Sequence, residues 1–423
     1  MDVIERLESN VRSYCRSFPV VFDRASGPYV YDAAGRRYLD FFCGAGALNY
    51  GHNEPGMKRA LLDYLERDGV VHALDMTTRA KTEFLERLDQ IVLAPRGLSY
   101  RMQFTGPTGA NAVEAALKLA RKATGRSNIV AFTNAYHGLS LGALAVTANS
   151  SYRHESFVGR VNASFVPFDG YLGPDLNTVR ILERLLEDSS SGVDRPAAVI
   201  VETIQAEGGI NVASAEWLRQ LEAVCRRFGV LLIVDDIQMG CGRTGTFFSF
   251  ETSGIRPDMV VLSKSISGIG LPMALLLIRP DLDVWAPGEH TGTFRGNNAA
   301  FVTAAAALRF WETPDLAQNI ATSGSALVAA LDGLRLAHPQ LGIRIRGRGL
   351  VYGVETTEPA VTEQLARKCF EQGLIVELCG GSRKVLKLLP PLTVTAEVMD
   401  AATGILAASL AAVVDGQHLS VSL

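Results

Sequence analysis

The chain has 423 residues, of which 48% are hydrophobic and 20% charged, enough for a large core and roughly two or three domain-sized units. The 41 Lys and Arg residues nearly balance 44 Asp and Glu residues, so the net charge of −3 argues against a nucleic-acid-binding or membrane-surface face. The six cysteines form no CxxC pair, and the seven histidines show no metal-binding spacing. We therefore expect reduced thiols, no metal site, no membrane segment and a cytoplasmic location.

In chain order, residues 28–40 predict two short strands around a turn, and residues 54–66 predict an amphipathic helix. Between them, residues 41–52 contain three glycines, which would let the backbone pass close to a ligand, although ordinary turn chemistry gives the same pattern. A second helix is predicted over residues 82–91.

Residues 103–123 predict a short strand, a Gly-Pro-Thr-Gly turn and a helix. The backbone N–H groups of Gly109 and Ala110 would lie at the helix N-terminus, where free donors and the helix dipole favour a phosphate. The hydroxyl of Thr108 could add a further contact. The spacing is neither a Walker loop nor GxGxxG, and a capped helix start would look the same.

Polar side chains also follow the strands predicted at 129–132 and 197–201. Tyr136 could stack on a planar ring after the first strand, although such a tyrosine can simply pack. Glu202 and Glu207 follow the second strand. Two carboxylates are costly to bury together, so at least one should meet a cation.

The most informative stretch is 230–270, where two continuous apolar strands each end in a charged residue followed by glycines. The first strand ends at Asp235 and the second at Lys264. In open α/β sheets, ligands bind at the carboxyl ends of the strands. The simplest ligand for this pair is pyridoxal 5′-phosphate, because a lysine can bond to its aldehyde and an aspartate can pair with its pyridine nitrogen. Either residue alone would also suit an ordinary charged strand end.

Strands and helices alternate from about residue 100 to 280, which predicts an α/β domain with a mainly parallel sheet. The last hundred residues predict a smaller α+β unit. We expect a large domain over 66–319 and a small domain built from both termini, 1–65 and 320–423.

Together these motifs resemble the class III aminotransferases, which are fold-type-I enzymes dependent on pyridoxal phosphate. The resemblance covers nearly the whole chain and rests on the following segments: TG-x-NAVEAALKLARK at 108–122, YHG at 136–138, E-x-IQ-x-EGG at 202–209, DDIQ-x-GCGRTG at 235–245, SKS at 263–265, T-x-x-GN at 293–297 and RGRGL at 346–350. It implies a mainly parallel seven-stranded sheet, small amino-acid and oxo-acid substrates, and a homodimer or larger homo-oligomer.

Carried over motif by motif, the resemblance makes Lys264 and Asp235 the catalytic residues. Lys264 would bond to the cofactor, and Asp235 would pair with its pyridine nitrogen. It also implies cofactor contacts from a larger set: Thr108, Gly109, Ala110, Tyr136, His137, Gln238 and Thr293. Thr293 would reach the phosphate from the partner subunit.

Three positions differ from many members of this family. Ala110 stands where a serine or threonine is common, Leu139 where an arginine grips a substrate carboxylate, and Lys387 where another arginine precedes Pro390-Pro391. Lysine lacks the bidentate fork of arginine. The candidates for substrate binding are therefore Lys387 paired with Glu207, and Arg295.

The sequence leaves three other functions open for a chain with these motifs. An ornithine- or 4-aminobutyrate-type transaminase would be expected to keep the arginine that Leu139 replaces. An aminomutase would shift an amino group within one substrate and need no 2-oxoglutarate. A cofactor-binding module without catalysis is disfavoured by the intact set of Asp235, Lys264 and Thr293.

Overall fold

A computed structural model describes residues 3–154, 156–157 and 162–421, without the side chains of 416–421. The helices are α1 (Val3–Leu7), α2 (Tyr14–Ser17), α3 (Cys43–Gly46), α4 (Pro55–Glu66), α5 (Arg79–Arg87), α6 (Gly109–Thr124), α7 (Leu141–Ala145), α8 (Val179–Glu187), α9 (Ala215–Phe228), α10 (Asn298–Ala307), α11 (Asp315–Ala337), α12 (Pro359–Glu371) and α13 (Ala396–Val421). The strands are β1 (Phe22–Ser26), β2 (Tyr29–Asp32), β3 (Arg37–Asp40), β4 (Arg101–Phe104), β5 (Ile129–Phe132), β6 (Ala163–Val166), β7 (Ala198–Val201), β8 (Ile204–Gln205), β9 (Asn211–Val212), β10 (Leu231–Asp235), β11 (Met259–Leu262), β12 (Leu275–Ile278), β13 (Arg344–Arg348), β14 (Val351–Glu355), β15 (Leu374–Ile375), β16 (Glu377–Cys379) and β17 (Val385–Leu388).

The largest sheet has seven strands in the order β4-β12-β11-β10-β7-β5-β6. Only β12 runs against its neighbours, pairing antiparallel with both β11 and β4. The central strands β5, β7, β10, β11 and β12 are buried along their whole length, because helices cover both faces. The predicted mainly parallel seven-stranded α/β sheet is therefore confirmed.

Helix α6 packs on one face of this sheet through alanines and leucines. On the other face, a second cluster gathers apolar side chains from α5, α8, α9 and α10. The predicted helix over 54–66 is α4, and the one predicted over 82–91 is α5, which continues as a π-helical turn, Leu88–Leu93.

Two four-stranded sheets lie outside the large sheet. One joins β1, β2 and β3 to β15, so strands from near both ends of the chain share it. The other is antiparallel, in the order β13-β14-β17-β16. The predicted pair of strands within 28–40 is thus β2 and β3, while the division into domains at 65 and 319 stays a prediction.

By length and composition alone, the two segments Asp315–Ala337 and Ala396–Asp415 could cross a membrane. The sequence predicted no membrane segment, and the second of these segments lies in α13. Both helices contribute buried apolar side chains to one core cluster, as the core helices of a globular protein do.

Candidate active site

The carboxyl ends of the parallel strands meet at one edge of the large sheet, and the chemically distinctive residues follow them. A cavity of about 270 Å³ opens at this edge. It is lined by Gly109, Ala110, Tyr136, His137, Gly138, Leu139, Glu202, Ala206, Glu207, Asp235, Ile237, Gln238, Met239, Ser263 and Lys264. The structure therefore brings together most of the residues that the sequence motifs selected.

Lys264 begins a 3₁₀ turn that Ser263 separates from β11, and it has a φ of 54° that a non-glycine residue rarely adopts. Its Nζ donates a hydrogen bond of 2.8 Å to the carbonyl oxygen of Ala45. The glycine-rich segment around Ala45 thus approaches the site, as the sequence suggested. Burial lowers the pKa of Lys264 to about 8. Roughly one fifth of this amine is therefore neutral, and nucleophilic, at pH 7.4, far more than for an ordinary lysine.

Asp235 is the last residue of β10 and is almost fully buried. Its Oδ2 lies 2.7 Å from Nδ1 of His137, and its Oδ1 accepts a hydrogen bond of 3.2 Å from the backbone N–H of Ile237. Burial alone would lower the pKa of His137, but the hydrogen bond and charge of Asp235 outweigh burial and raise it. His137, predicted among the cofactor contacts, thus also orients the Asp235 carboxylate.

The predicted phosphate position lies at the start of α6, and it stays a prediction. Thr108 caps this helix, because its Oγ1 accepts the backbone N–H of Asn111. Gly109 and Ala110 line the cavity, whereas Thr108 does not. Gly138 has a φ of 121°, and a Cβ there would lie 2.8 Å from the Cβ of Ala110. The glycine of the YHG motif therefore lets the two segments approach each other.

The carboxylates of Glu202 and Glu207 are stabilised by different groups. Glu202 accepts backbone N–H bonds from Tyr136 and Ala206, and burial raises its pKa to about 7. Glu207 pairs with the ammonium of Lys387 at 2.5 Å. As expected, at least one of the two carboxylates contacts a cation, and it is Glu207.

Tyr136 is half-buried, and its ring lies edge-on to Tyr152 with centroids 5.3 Å apart.

Lys387 lies on β17 with none of its side chain exposed. Its Nζ donates to Oε1 of Gln238 at 3.2 Å and lies 2.9 Å from Oε2 of Glu377. Oε1 of Glu377 accepts a hydrogen bond of 3.1 Å from the hydroxyl of Tyr14. One buried ammonium therefore serves two carboxylates.

The pKa shifts in this cluster follow from the shared ammonium. Burial alone would raise the pKa of Glu207, but Lys387 lowers it. Burial raises the pKa of Glu377 in spite of Lys387, and the charge of Glu207 adds to the rise. Burial alone would lower the pKa of Lys387, yet the two carboxylates raise it well above its usual value. Glu207 thus holds its negative charge more firmly than Glu377.

The sequence analysis missed Glu377 and Tyr14. Glu377 pairs with Lys387 in the register of the adjacent strands β16 and β17. Both strands are short and apolar around their charged residue, and a lysine in a buried strand requires a carboxylate on a neighbouring strand. Interpreting the two strands as a hairpin would therefore have identified Glu377 as a partner of Lys387. Tyr14 comes from a distant segment, and no sequence pattern links it to Glu377.

Four predicted site residues do not line the cavity of this single chain: Thr108 and Lys387, which contact or adjoin lining residues, and Thr293 and Arg295. Thr293 is exposed at the start of a 3₁₀ turn, and its carbonyl oxygen contacts Nε2 of His72 at 2.6 Å. Arg295 donates to Oγ1 of Thr291 at 3.2 Å. The role of Thr293 in a partner subunit's site and the role of Arg295 in substrate binding therefore stay predictions. Over the described ranges, no group of three or more His, Cys, Asp or Glu residues could hold a metal ion.

A family model described as aminotransferase class-III matches residues 12–410. The chain is a class III aminotransferase. A protein from Wolinella succinogenes named diaminobutyrate–2-oxoglutarate transaminase is 56% identical over 96% of this chain and 95% of its own. One of the same name from Bordetella parapertussis is 54% identical over 97% of this chain and 95% of its own.

Solved structures agree with the family. An ornithine aminotransferase from Toxoplasma gondii superposes on this aminotransferase with a TM-score of 0.84 and 28% identity, covering 98% of this chain and 94% of that one. An S-selective transaminase from Bacillus megaterium, 23% identical, shares the fold with a TM-score of 0.86 over 97% of this chain and 96% of its own.

Pyridoxal 5′-phosphate is the cofactor of this family and of this aminotransferase. The residues of the cavity fit it chemically. Lys264 offers an amine with a lowered pKa, and Asp235 offers a buried carboxylate fixed by His137. The N-terminus of α6 offers backbone donors for a phosphate. These three features lie around one cavity, which is what a cofactor with an aldehyde, a pyridine ring and a phosphate requires.

Proposed function

We propose that this aminotransferase moves an amino group from L-glutamate to the terminal carbon of L-aspartate 4-semialdehyde. The products would be L-2,4-diaminobutyrate and 2-oxoglutarate. The names of relatives that are 54–56% identical over nearly the whole chain support this reaction. The observation in the site that carries it is the buried Lys387–Glu207 pair, next to a cavity wall on which Leu139 replaces a common arginine.

The pair accounts for two different substrates in one site. Glutamate brings an α-carboxylate that needs a cation, and Lys387 is the buried cation next to the cavity residues Glu207 and Gln238. Glu207 lines the cavity and would turn away when a substrate carboxylate replaces it on Lys387. When the second substrate binds, Glu207 would return to Lys387, and the ammonium would again pair with both carboxylates.

The chemistry needs a proton to move at the substrate carbon. When bound, the cofactor supplies an electron sink for the carbon from which that proton leaves. Lys264 Nζ would be the base that accepts this proton, because burial lowers its pKa to about 8 and makes its neutral form accessible near neutral pH. Asp235, held by His137, would keep the ring nitrogen protonated. Gln238 would bond the ring hydroxyl, and Tyr136 would stack on the ring.

Leu139 distinguishes this proposal from an ornithine- or 4-aminobutyrate-type enzyme. It lies on the cavity wall with about half of its side chain exposed, and it offers no charge to a substrate carboxylate. Thr293 would act on the site of a partner subunit, as the resemblance to the family implies, since it does not line the cavity of its own chain. Arg295 stays a second candidate for substrate binding. We accordingly propose a cytoplasmic homodimer or larger homo-oligomer.

The test is to measure glutamate formation by the purified, cofactor-loaded enzyme from 2-oxoglutarate and three amino donors: 2,4-diaminobutyrate, ornithine and 4-aminobutyrate. The proposal predicts the highest kcat/KM with diaminobutyrate. A preference for one of the other donors would keep the family and discard the substrate. No glutamate from any donor would point instead to an aminomutase. The variant Lys264→Ala should be inactive with all three donors, which controls for contaminating transaminases.

A further inference from the structure

The short element α3 has a left-handed backbone. Its four residues, Cys43–Gly46, have φ angles of 49°, 56°, 56° and 82° in chain order. Glycine adopts this conformation without strain, but Cys43 and Ala45 carry a Cβ that comes too close to the backbone there. Such a backbone persists only where the surrounding groups hold it, and it is frequent at functional sites.

Two side chains hold the two ends of this left-handed turn. At its start, Oδ1 of Asp40 accepts two backbone N–H groups, at 2.9 and 2.8 Å. At its end, Oγ of Ser265 donates to the carbonyl oxygen of Gly46 at 2.7 Å and accepts the backbone N–H of Asn49 at 3.1 Å. The buried hydroxyl of Ser265 therefore uses both its donor and an acceptor on the same segment.

Asn49 makes the position of this segment a fixed one. Its side chain is fully buried, its Nδ2 donates to the carbonyl oxygen of Cys241 at 3.0 Å, and its Oδ1 accepts a hydrogen bond of 2.6 Å from Arg243. Arg243 is also fully buried and donates to the carbonyl oxygen of Leu350 at 2.8 Å. Ser265 thus ties the left-handed turn to a polar network that reaches distant parts of the chain.

The same turn contacts the reactive amine. Ser265 follows Lys264 in the chain, and Nζ of Lys264 donates to the carbonyl oxygen of Ala45 at 2.8 Å. The carbonyls on either side of Ala45 have other donors. That of Gly44 accepts a backbone N–H at 3.2 Å, and that of Gly46 accepts the hydroxyl of Ser265. The way in which the turn is held therefore places the carbonyl of Ala45 at the amine.

We infer that Ser265 is a positioning residue for Lys264, because it holds the left-handed turn where the carbonyl of Ala45 accepts the ammonium of Lys264. A buried ammonium has three N–H donors and needs acceptors for them. Ser265 would keep the protonated amine at one place beside the cavity whenever Lys264 is not bonded to the cofactor. This role is the same for any amino donor, so it does not depend on the proposed substrates.

The test measures how fast the full-length, cofactor-free enzyme combines with pyridoxal phosphate as a function of pH. A hydrogen bond to Ala45 favours the charged form of Lys264, so its loss should lower the pKa of this amine. For Ser265→Ala, we expect the rate to reach half its maximum roughly 0.5 to 1 pH unit below the wild-type midpoint. One hydrogen bond to a charged group changes an equilibrium by about tenfold, which corresponds to the upper end of this range.

The Ser265→Ala substitution removes no charge. The charged groups that act on the amine of Lys264 are the same in both enzymes: Glu207, Lys387, Glu377 and Asp235. A lower midpoint therefore reports a displaced acceptor rather than a changed electrostatic field.

Ser253→Ala is the matched control for the loss of a buried hydroxyl. Oγ of Ser253 donates to the carbonyl oxygen of Phe250 at 2.6 Å, and Ser253 does not line the cavity. This variant should keep the wild-type midpoint. An equal fall of the midpoint in Ser253→Ala would show that loss of packing alone causes it, and would overturn the role of Ser265.

Ser265→Cys provides a second test, because Ser265→Ala leaves two buried backbone groups unpaired and could fail to fold. A thiol is a weaker donor and acceptor than a hydroxyl, so this variant should lower the midpoint in the same direction but less. A folded Ser265→Ala enzyme with a midpoint equal to or above that of wild type would overturn the inference. If only Ser265→Cys folds, the same result for that variant would overturn it.

Discussion

Replacing Lys387 with methionine should destabilise the enzyme strongly. The side chain is fully buried, and its removal leaves Glu207 and Glu377 buried without a cation. Breaking a buried ion pair from one side typically costs about 3–5 kcal/mol of folding free energy. We therefore expect guanidinium unfolding of Lys387→Met, followed by tryptophan fluorescence, to show a loss in this range at pH 7.5.

The loss should depend on pH in a defined direction. Without Lys387, burial would raise the folded-state pKa of Glu207 above its value in the unfolded chain, instead of the lowering seen now. The folded variant would then bind protons more tightly than the unfolded chain, so its stability would fall as the pH rises through this interval. The deficit relative to wild type should therefore be smaller at pH 5.5 than at pH 7.5.

Lys368→Met is the matched control, because Lys368 also pairs with a glutamate at 2.7 Å but on the protein surface. Exposed pairs of this kind contribute little. A deficit for Lys387→Met no larger than that of the control, or one that grows as the pH is lowered, would refute the assignment of Lys387 as the cation that compensates both carboxylates.

Two further predictions concern the cofactor. Only a neutral amine adds to an aldehyde. The rate at which the cofactor-free enzyme combines with pyridoxal phosphate should therefore rise with pH. It should reach half its maximum near pH 8, the pKa of Lys264. A midpoint near 10, as for an exposed lysine, would contradict the effect of burial. If Thr293 serves the partner's site, Thr293→Ala should weaken cofactor affinity about 10- to 100-fold. Mixing Thr293→Ala chains with Lys264→Ala chains should then restore one normal site in each mixed dimer, whereas an effect within the same chain would leave no normal site.

Sequence patterns predicted the large sheet and the edge at which the cavity opens, because buried parallel strands have a distinctive pattern. The strand that ends at Asp235 and the strand that precedes Lys264 are buried on both faces, so they appear as continuous apolar runs followed by polar residues. In a parallel sheet such ends meet at one edge. The cavity between Asp235, Lys264 and the start of α6 follows from these local patterns alone.

Contacts between distant segments were harder to predict. Tyr14 meets Glu377 across 363 positions of the chain, and neither residue carries a local pattern that points to the other. Ala45 is a similar case, since its contact with Lys264 uses a backbone carbonyl, which the side-chain sequence does not reveal. Lys387 and Glu207 were paired from the resemblance to the family, but the second carboxylate on Lys387 emerged only from the register of β16 and β17.

The central claim is that the amino group of glutamate arrives at the terminal carbon of the product. The most direct measurement is to supply glutamate labelled with ¹⁵N together with aspartate 4-semialdehyde, and to locate the label in the product by NMR. The account predicts 2,4-diaminobutyrate with ¹⁵N on carbon 4 only, and unlabelled nitrogen on carbon 2. Label on carbon 2, or a diamine without label, would contradict it.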